Sequence, residues 1–316
     1  MTIPTEIDYL EFPITHLCSL HCDGCSAYSN YGLSQKVSLE QAELWLKGWS
    51  GRINPKRFRI LGGEPFLNNF LPEIVELSRT NFPDARIQVC TNGLNFDNHV
   101  GIEKILIKNS TSLHLSVHAR DDKYLDSISN SIETMLRWEK DYGLKIFFGD
   151  NVENWNRFYK GIGREMRPFN DGNPNQSYKV CHSWYCVNLV ENKLWKCPQV
   201  ANLHLVADKF KLNEVSEWKR YLGYKGLAVN CSDEELNKFV NRKAEAVCSM
   251  CPSSLDNYEK DVRNVNYKLN NVEFLENNFS LNFERFDSTV KPLFNRKPGF
   301  LSNLERSIKR AIYKSV

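Results

Sequence analysis

The residues of this 316-residue chain best suited to chemistry are its ten cysteines, and their spacing is uneven. Cys18, Cys22 and Cys25 share one short stretch with the pattern C-x3-C-x2-C. Three thiolates on one loop can hold three corners of an iron–sulfur cubane and leave one iron without a protein ligand. A structural zinc site wants four closed ligands. His21 would have to be the fourth, and it sits inside the loop between two cysteines, where it would strain the geometry. A second group, Cys181, Cys186 and Cys197, is joined across a long gap by the pair Cys248 and Cys251. Five cysteines compete there for four positions, and four thiolates suit zinc as well as a cubane. Cys90 and Cys231 stand alone and receive no role.

The elements that must position these groups are legible from periodicity. Tyr9–Thr15, Arg57–Leu61, Arg86–Thr91, Ser112–Val117 and Lys145–Phe148 read as five strands. Between them, Ala42, Leu46 and Trp49, then Leu71, Ile74 and Val75, then Ile128, Ile132 and Met135 recur at helical spacing. Ser38 and Gln41 form a capping box at the first of these helices. Strands alternating with helices predict a parallel α/β sheet, open or curled into a barrel. The turn-rich run Asn170–Asn175 predicts a domain boundary near residue 170. Beyond it, Cys186–Cys197 reads as a hairpin turning near Glu191-Asn192, with Cys186 opposite Cys197. Hairpin pairing and the tight Cys248/Cys251 pair leave Cys181 as the surplus cysteine. Seven asparagines between 264 and 282 suggest an irregular connector. The end, 291–316, carries seven basic residues and one acidic one, with Leu301, Leu304, Ile308 and Ile312 on one side of an amphipathic helix.

Four motifs stand at strand ends in order. The cysteine loop follows the first strand, Gly62-Gly63-Glu64-Pro65 the second and Thr91-Asn92-Gly93 the third, while Ser116 and His118 end the fourth. In this the chain resembles the radical SAM superfamily over roughly residues 7–170. The resemblance implies a partial (β/α)6, TIM-like barrel and a [4Fe-4S] cluster on Cys18, Cys22 and Cys25. Its open iron would chelate the amino and carboxylate groups of S-adenosyl-L-methionine, whose one-electron cleavage gives a 5′-deoxyadenosyl radical. It further implies that Gly62 and Gly63 let backbone approach the methionine ammonium, with Glu64 orienting it. Asn92 and Ser116, and less directly His118, would sit near the ribose. Relatives often carry an aromatic residue just before the third cysteine; here it is Gly24, with Tyr28 or bare backbone left to hold the adenine.

The second cysteine group resembles the twitch or SPASM region appended to some of these enzymes, which implies one auxiliary [4Fe-4S] cluster drawn from Cys181, Cys186, Cys197, Cys248 and Cys251. Family spacing counts Cys181 as its first ligand, against the hairpin argument, and both readings stay open. The expected organisation is a core over 1–170, an auxiliary cluster domain over 171–262, and a connector with the basic helix over 263–316. The expected substrate is a small or carbohydrate-like molecule, with flavodoxin or ferredoxin as reductant; a peptide-modifying enzyme and a non-catalytic iron–sulfur or zinc module are the alternatives. Asp150, Arg120 and Lys179 are candidates to face a substrate.

Composition sets the outer limits. With 41% hydrophobic and 25% charged residues the chain is globular, and a net charge of +3 is too small to argue for nucleic acid. No apolar run is long enough to span a bilayer, and the first residues show no secretory signal, so a cytoplasmic, thiol-reducing location is expected. The basic end allows peripheral membrane or protein contact.

Overall fold

The structure is a computed structural model that describes residues 3–22, 24–120, 122–151, 158–254, 267–269, 272–274 and 286–294. Ten strands precede residue 255: β1 (Thr5–Ile7), β2 (Leu10–Pro13), β3 (Ile53–Pro55), β4 (Arg57–Leu61), β5 (Arg86–Thr91), β6 (Ser112–Val117), β7 (Ile146–Asp150), β8 (Val187–Val190), β9 (Lys193–Trp195) and β10 (Leu227–Ala228). The helices are α1 (Leu39–Trp49), α2 (Leu71–Asn81), α3 (Ile102–Lys108), α4 (Asp122–Tyr142), α5 (Pro174–Val180), α6 (Pro198–Phe210), α7 (Lys219–Leu222) and α8 (Asp233–Val240), with α9 (Lys291–Phe294) near the end. A short antiparallel pair, β11 (Tyr267–Leu269) with β12 (Val272–Phe274), interrupts the segment expected to be an irregular connector.

The five expected strands are β2, β4, β5, β6 and β7, and they pair in parallel in that order. Each new strand joins the same edge, so right-handed crossovers put α1–α4 on one face. That face is apolar: Leu10 and Phe12, Phe58 and Ile60, Ile87 and Val89, Leu113 and Leu115 are buried under Leu46, Trp49, Ile74, Ile132 and Met135. The capping box at Ser38 forms as expected and starts α1. Fully burying one such side chain stabilises by roughly 1.5–3 kcal/mol, so this layer carries most of the fold.

Alternation turns the intervening residues to the opposite face, which no helix of the α1–α4 layer covers. Glu11, Arg59, Cys90, His114 and Ser116 lie there, a polar set on strands whose other side is wholly apolar. On the far edge of β2 lies β8, also parallel, followed by antiparallel β9 and β10. Glu191 and Asn192 both take positive φ (51° and 56°) and close the β8–β9 hairpin in two residues, as the sequence suggested.

A second apolar cluster, built on Trp195, Val206, Leu212 and Trp218, draws Tyr28, Leu33, Tyr159 and Met166 from ahead of residue 170. On the β7 side, Val290 and Leu293 enter the main core, and α9 packs along that strand. The amphipathic helix expected beyond residue 300 lies outside the described residues.

Candidate active site

Every motif singled out in the first half of the chain lies at the C-terminal ends of the parallel strands. Cys18, Cys22 and Cys25 follow β2 on a loop held by its own turns: Cys25 N donates to Cys22 O (3.3 Å) and Tyr28 N to Cys25 O (3.0 Å). Cys22 is buried, and Cys18 and Cys25 are half-buried. Burial is the main cause that pushes the Cys18 and Cys25 thiols up, and for Cys18 the nearby Glu64 and Cys25 add to it. Ionising them together therefore calls for a compensating cation, the condition under which thiols bind metal. These three residues are the ones on this loop able to hold a cluster.

Gly62 and Gly63 meet this loop directly. A Cβ on Gly62 would stand 2.2 Å from the Thr15 carbonyl oxygen, and one on Gly63 2.2 Å from that of Leu17. Gly63 N donates to Thr15 O and Glu64 N to Leu17 O, each at 2.7 Å. The glycine pair thus lets two backbones close on each other and sets the approach to Cys18. Glu64 is wholly buried. Its Oε1 accepts from Phe66 N (3.1 Å) and Thr91 Oγ1 (2.8 Å), and its Oε2 from Asn92 N (2.7 Å). Burial raises its carboxyl to about 7 against these three opposing bonds. Its visible work is to lock the end of β4 to the end of β5.

Asn92, so positioned, turns Nδ2 to Cys18 Sγ (3.6 Å) and Ser19 Oγ (3.4 Å), while Oδ1 accepts from Leu94 N (3.0 Å). His118 brings Nδ1 to 3.7 Å from Cys22 Sγ, and burial lowers its pKa to about 4, so it is a neutral imidazole at ordinary pH. Ser116 lies on the polar face of β6, opposite Gly149 of β7. Arg120 and Asp150 form a half-buried ion pair at 3.5 Å, whereas Lys179 is an exposed residue of α5. Tyr28 does not lie beside Gly24 as an open platform: it is buried and stacks on Tyr159 at 5.8 Å, inside the second cluster.

The second group divides cleanly. Cys181, Cys197, Cys248 and Cys251 line one small, largely apolar cavity together with Tyr178 and Lys196. Cys186 is not among them. The hairpin ladder ends at Asn188–Trp195, so by residue 186 the chain has left the strand and by 197 it has become the N-cap of α6. The Cys186 thiol is hydrogen-bonded to Glu11, with Cys197 and Cys181 close enough to add to its raised pKa. Burial pushes Cys197 up to about 12, with Cys181 and Cys248 adding to it and Lys196 opposing. Cys181 and Cys251 are raised for the same first reason. Four thiols lining one cavity, three of them held up by burial, could serve as the donor set of a tetrathiolate centre. Among the described residues no His, Cys, Asp or Glu group is placed to hold a single ion. A cubane spreads its four ligands over four irons.

Two features had no mark in the motifs. Glu11 is fully buried, accepts from Asn188 Nδ2 (3.0 Å) and faces Arg59 across the polar sheet face. Lys196, also buried, donates to Lys243 O (2.6 Å) and Glu245 Oε1 (3.2 Å). Polar residues at alternate positions of otherwise apolar strands were the available signal for the first.

The same strands are the part of the chain that resembles known proteins. Residues 12–151 match the Radical SAM superfamily. That match indicates an enzyme, and it covers β2 through β7 with every strand-end motif described above. A GTP 3′,8-cyclase of Psychromonas ingrahamii is 30% identical over 95 residues, 30% of this chain and 28% of that protein. A 7,8-dihydro-6-hydroxymethylpterin dimethyltransferase of Methanocaldococcus jannaschii is 27% identical over 124 residues, 39% of this chain and 23% of that one. The chain spans about a quarter to a third of the length of the curated relatives it matches. Among solved structures, BtrN with AdoMet and 2-DOIA gives a TM-score of 0.42 at 12% identity, over 78% of this chain and 94% of that one. SuiB of Streptococcus suis bound to S-adenosylmethionine gives 0.32 at 15%, over 51% and 44%.

Proposed function

We propose that the chain is a radical SAM enzyme whose Cys18, Cys22 and Cys25 hold a [4Fe-4S] cluster with one corner free for S-adenosyl-L-methionine. A cluster held there would supply the one electron needed to split the sulfonium, opening a route to a 5′-deoxyadenosyl radical able to take a hydrogen atom from a substrate. The carrying observation is convergence: three thiols, Asn92 and His118 gather at one edge of the sheet, fixed there by the Gly62-Gly63-Glu64 backbone. Asn92 Nδ2 and the Ser116 hydroxyl offer hydrogen bonds for the nucleoside, and the buried Glu64 holds Asn92 in place. The sheet is then a partial (β/α)6 barrel with β2, β4, β5, β6, β7 and β8 as its staves and the polar face turned inward. Glu11, Arg59, His114 and Asn188 on that face present donors and acceptors suited to a small, hydroxyl-rich substrate of the carbohydrate kind.

Cys181, Cys197, Cys248 and Cys251 are the proposed ligands of an auxiliary [4Fe-4S] cluster in a twitch-like region, with Cys186 outside it. A flavodoxin or ferredoxin in the cytoplasm is the proposed electron donor. Among the described residues no helix is long and apolar enough to cross a membrane. The test is anaerobic incubation of the iron-loaded protein with dithionite and S-adenosyl-L-methionine. 5′-Deoxyadenosine should form, and Cys22→Ala should abolish it; full turnover by that variant removes Cys22 from the ligand set.

A further inference from the structure

At the strand ends remote from the cysteine loop the polar face opens into a cavity of about 700 Å3, well within the range that encloses small ligands. Its charge is one-sided. Arg57, Arg59, Arg86 and Lys145 line it, and among the described residues no aspartate or glutamate does. Arg57 and Arg86 are the first residues of β4 and β5 and stand opposite each other in register, so their side chains leave adjacent strands on the same side. Lys145 immediately precedes β7 and keeps the same alternation as Phe147.

The pairing of these cations sets them apart. Arg59 faces Glu11 one layer further in, and Arg57 and Arg59 stand 5.1 and 5.3 Å over the Tyr9 ring. A ring face leaves the guanidinium charge in place. Among the described residues Arg57, Arg86 and Lys145 have no carboxylate partner, while their neighbour Lys56 is held by both Glu6 (3.2 Å) and Asp8 (2.9 Å). Acidic side chains are thus at hand on this side of the molecule, yet the cavity excludes them. Its rim also exposes Tyr142 and Phe147 (55% and 38%), large apolar groups beside the charges.

We propose that this cavity binds a phosphate ester with an apolar or aromatic body, the phosphate between Arg57, Arg86 and Lys145 and the body against Tyr142 and Phe147. Guanidinium forks match phosphate oxygens two at a time, which a point charge cannot do. Arg57, Arg86 and Lys145 lie at the opposite strand ends from the cysteine loop, and the proposed radical chemistry uses none of them. The test is calorimetric titration of the full-length, iron-loaded protein with phenyl phosphate and with inorganic phosphate at low salt. Phenyl phosphate should bind, more tightly than inorganic phosphate, and weaken as salt rises. The double variant Arg57→Gln/Arg86→Gln should weaken it about ten-fold or more, and Lys56→Gln should leave it unchanged. Should the double variant melt early, the exposed Lys145→Gln serves instead, with a loss of about three-fold or more expected. No binding of phenyl phosphate at millimolar concentration, equal affinity for both probes, or affinity unmoved by these variants would each overturn the assignment.

Discussion

Replacing Gly63 by alanine tests how the cysteine loop is held. The new methyl would lie 2.2 Å from the Leu17 carbonyl oxygen, 2.6 Å from its carbon and 2.8 Å from the His16 oxygen. All three are backbone atoms, so no side chain can swing aside. Restoring an ordinary contact needs a retreat of about 1 Å by the segment that leads into Cys18. That movement breaks the 2.7 Å bonds from Gly63 N to Thr15 O and from Glu64 N to Leu17 O. Two lost backbone bonds at about 1 kcal/mol each, plus residual strain, give a cost of about 2–4 kcal/mol. Gly51→Ala supplies the control, because a methyl there meets nothing within 4 Å and pays only for a positive φ of 77°; its expected cost is about 1 kcal/mol. Denaturant unfolding under anaerobic conditions gives the stabilities, and iron analysis reports the loop. Gly63→Ala should lose both stability and iron from the first site, Gly51→Ala little of either. Wild-type iron content and stability in Gly63→Ala would refute the packing argument.

Three further outcomes follow from the geometry. Cys181→Ala should lose about half of roughly eight irons per chain, while Cys186→Ala should keep them, as read by iron analysis after anaerobic purification; the reverse order would return Cys186 to the ligand set. Glu64 has a folded pKa raised from 4.5 to about 7, so the folded chain holds a proton that the unfolded chain releases between those values, and stability falls as pH rises through that window. Relative to Glu64→Gln, the wild type should lose about 3 kcal/mol between pH 4.5 and 7, and parallel pH profiles would contradict this. Tyr28 is buried and stacked, with its hydroxyl unbonded. Tyr28→Phe should therefore melt no lower than wild type, whereas Tyr28→Ala should cost about 3–5 kcal/mol.

Much of the site could be read before the fold was known, because strand alternation and motif order are local. Leu10, Phe58, Ile87 and Leu113 alternate with polar neighbours, and that period alone placed five strands and therefore the edge on which the motifs gather. The C-x3-C-x2-C loop needed no tertiary information. What escaped was long-range. The spacing leaves Cys181 and Cys186 both open, and the point where the β8–β9 ladder stops, which bears on that pair, is invisible to register counting. The close approach of Gly62 and Gly63 to Thr15 and Leu17, some 45 residues earlier in the chain, has no mark in the local sequence. Proximity to Gly24 makes Tyr28 one of two options for the adenine, and its packing in a cluster with Tyr159 and Trp218 is invisible to sequence distance. The β1–β3 pair is three residues long, too short for periodicity to register.

Cys18, Cys22 and Cys25 are proposed to hold an iron–sulfur cluster with one corner open to a sulfonium nucleoside. Electron paramagnetic resonance of the dithionite-reduced, iron-loaded protein tests it most directly, recorded with and without S-adenosyl-L-methionine. A cubane signal should appear and its g-values should shift when the nucleoside is added, and in Gly63→Ala both signal and shift should be diminished. A spectrum unchanged by the nucleoside, in a protein carrying its full iron, would contradict it.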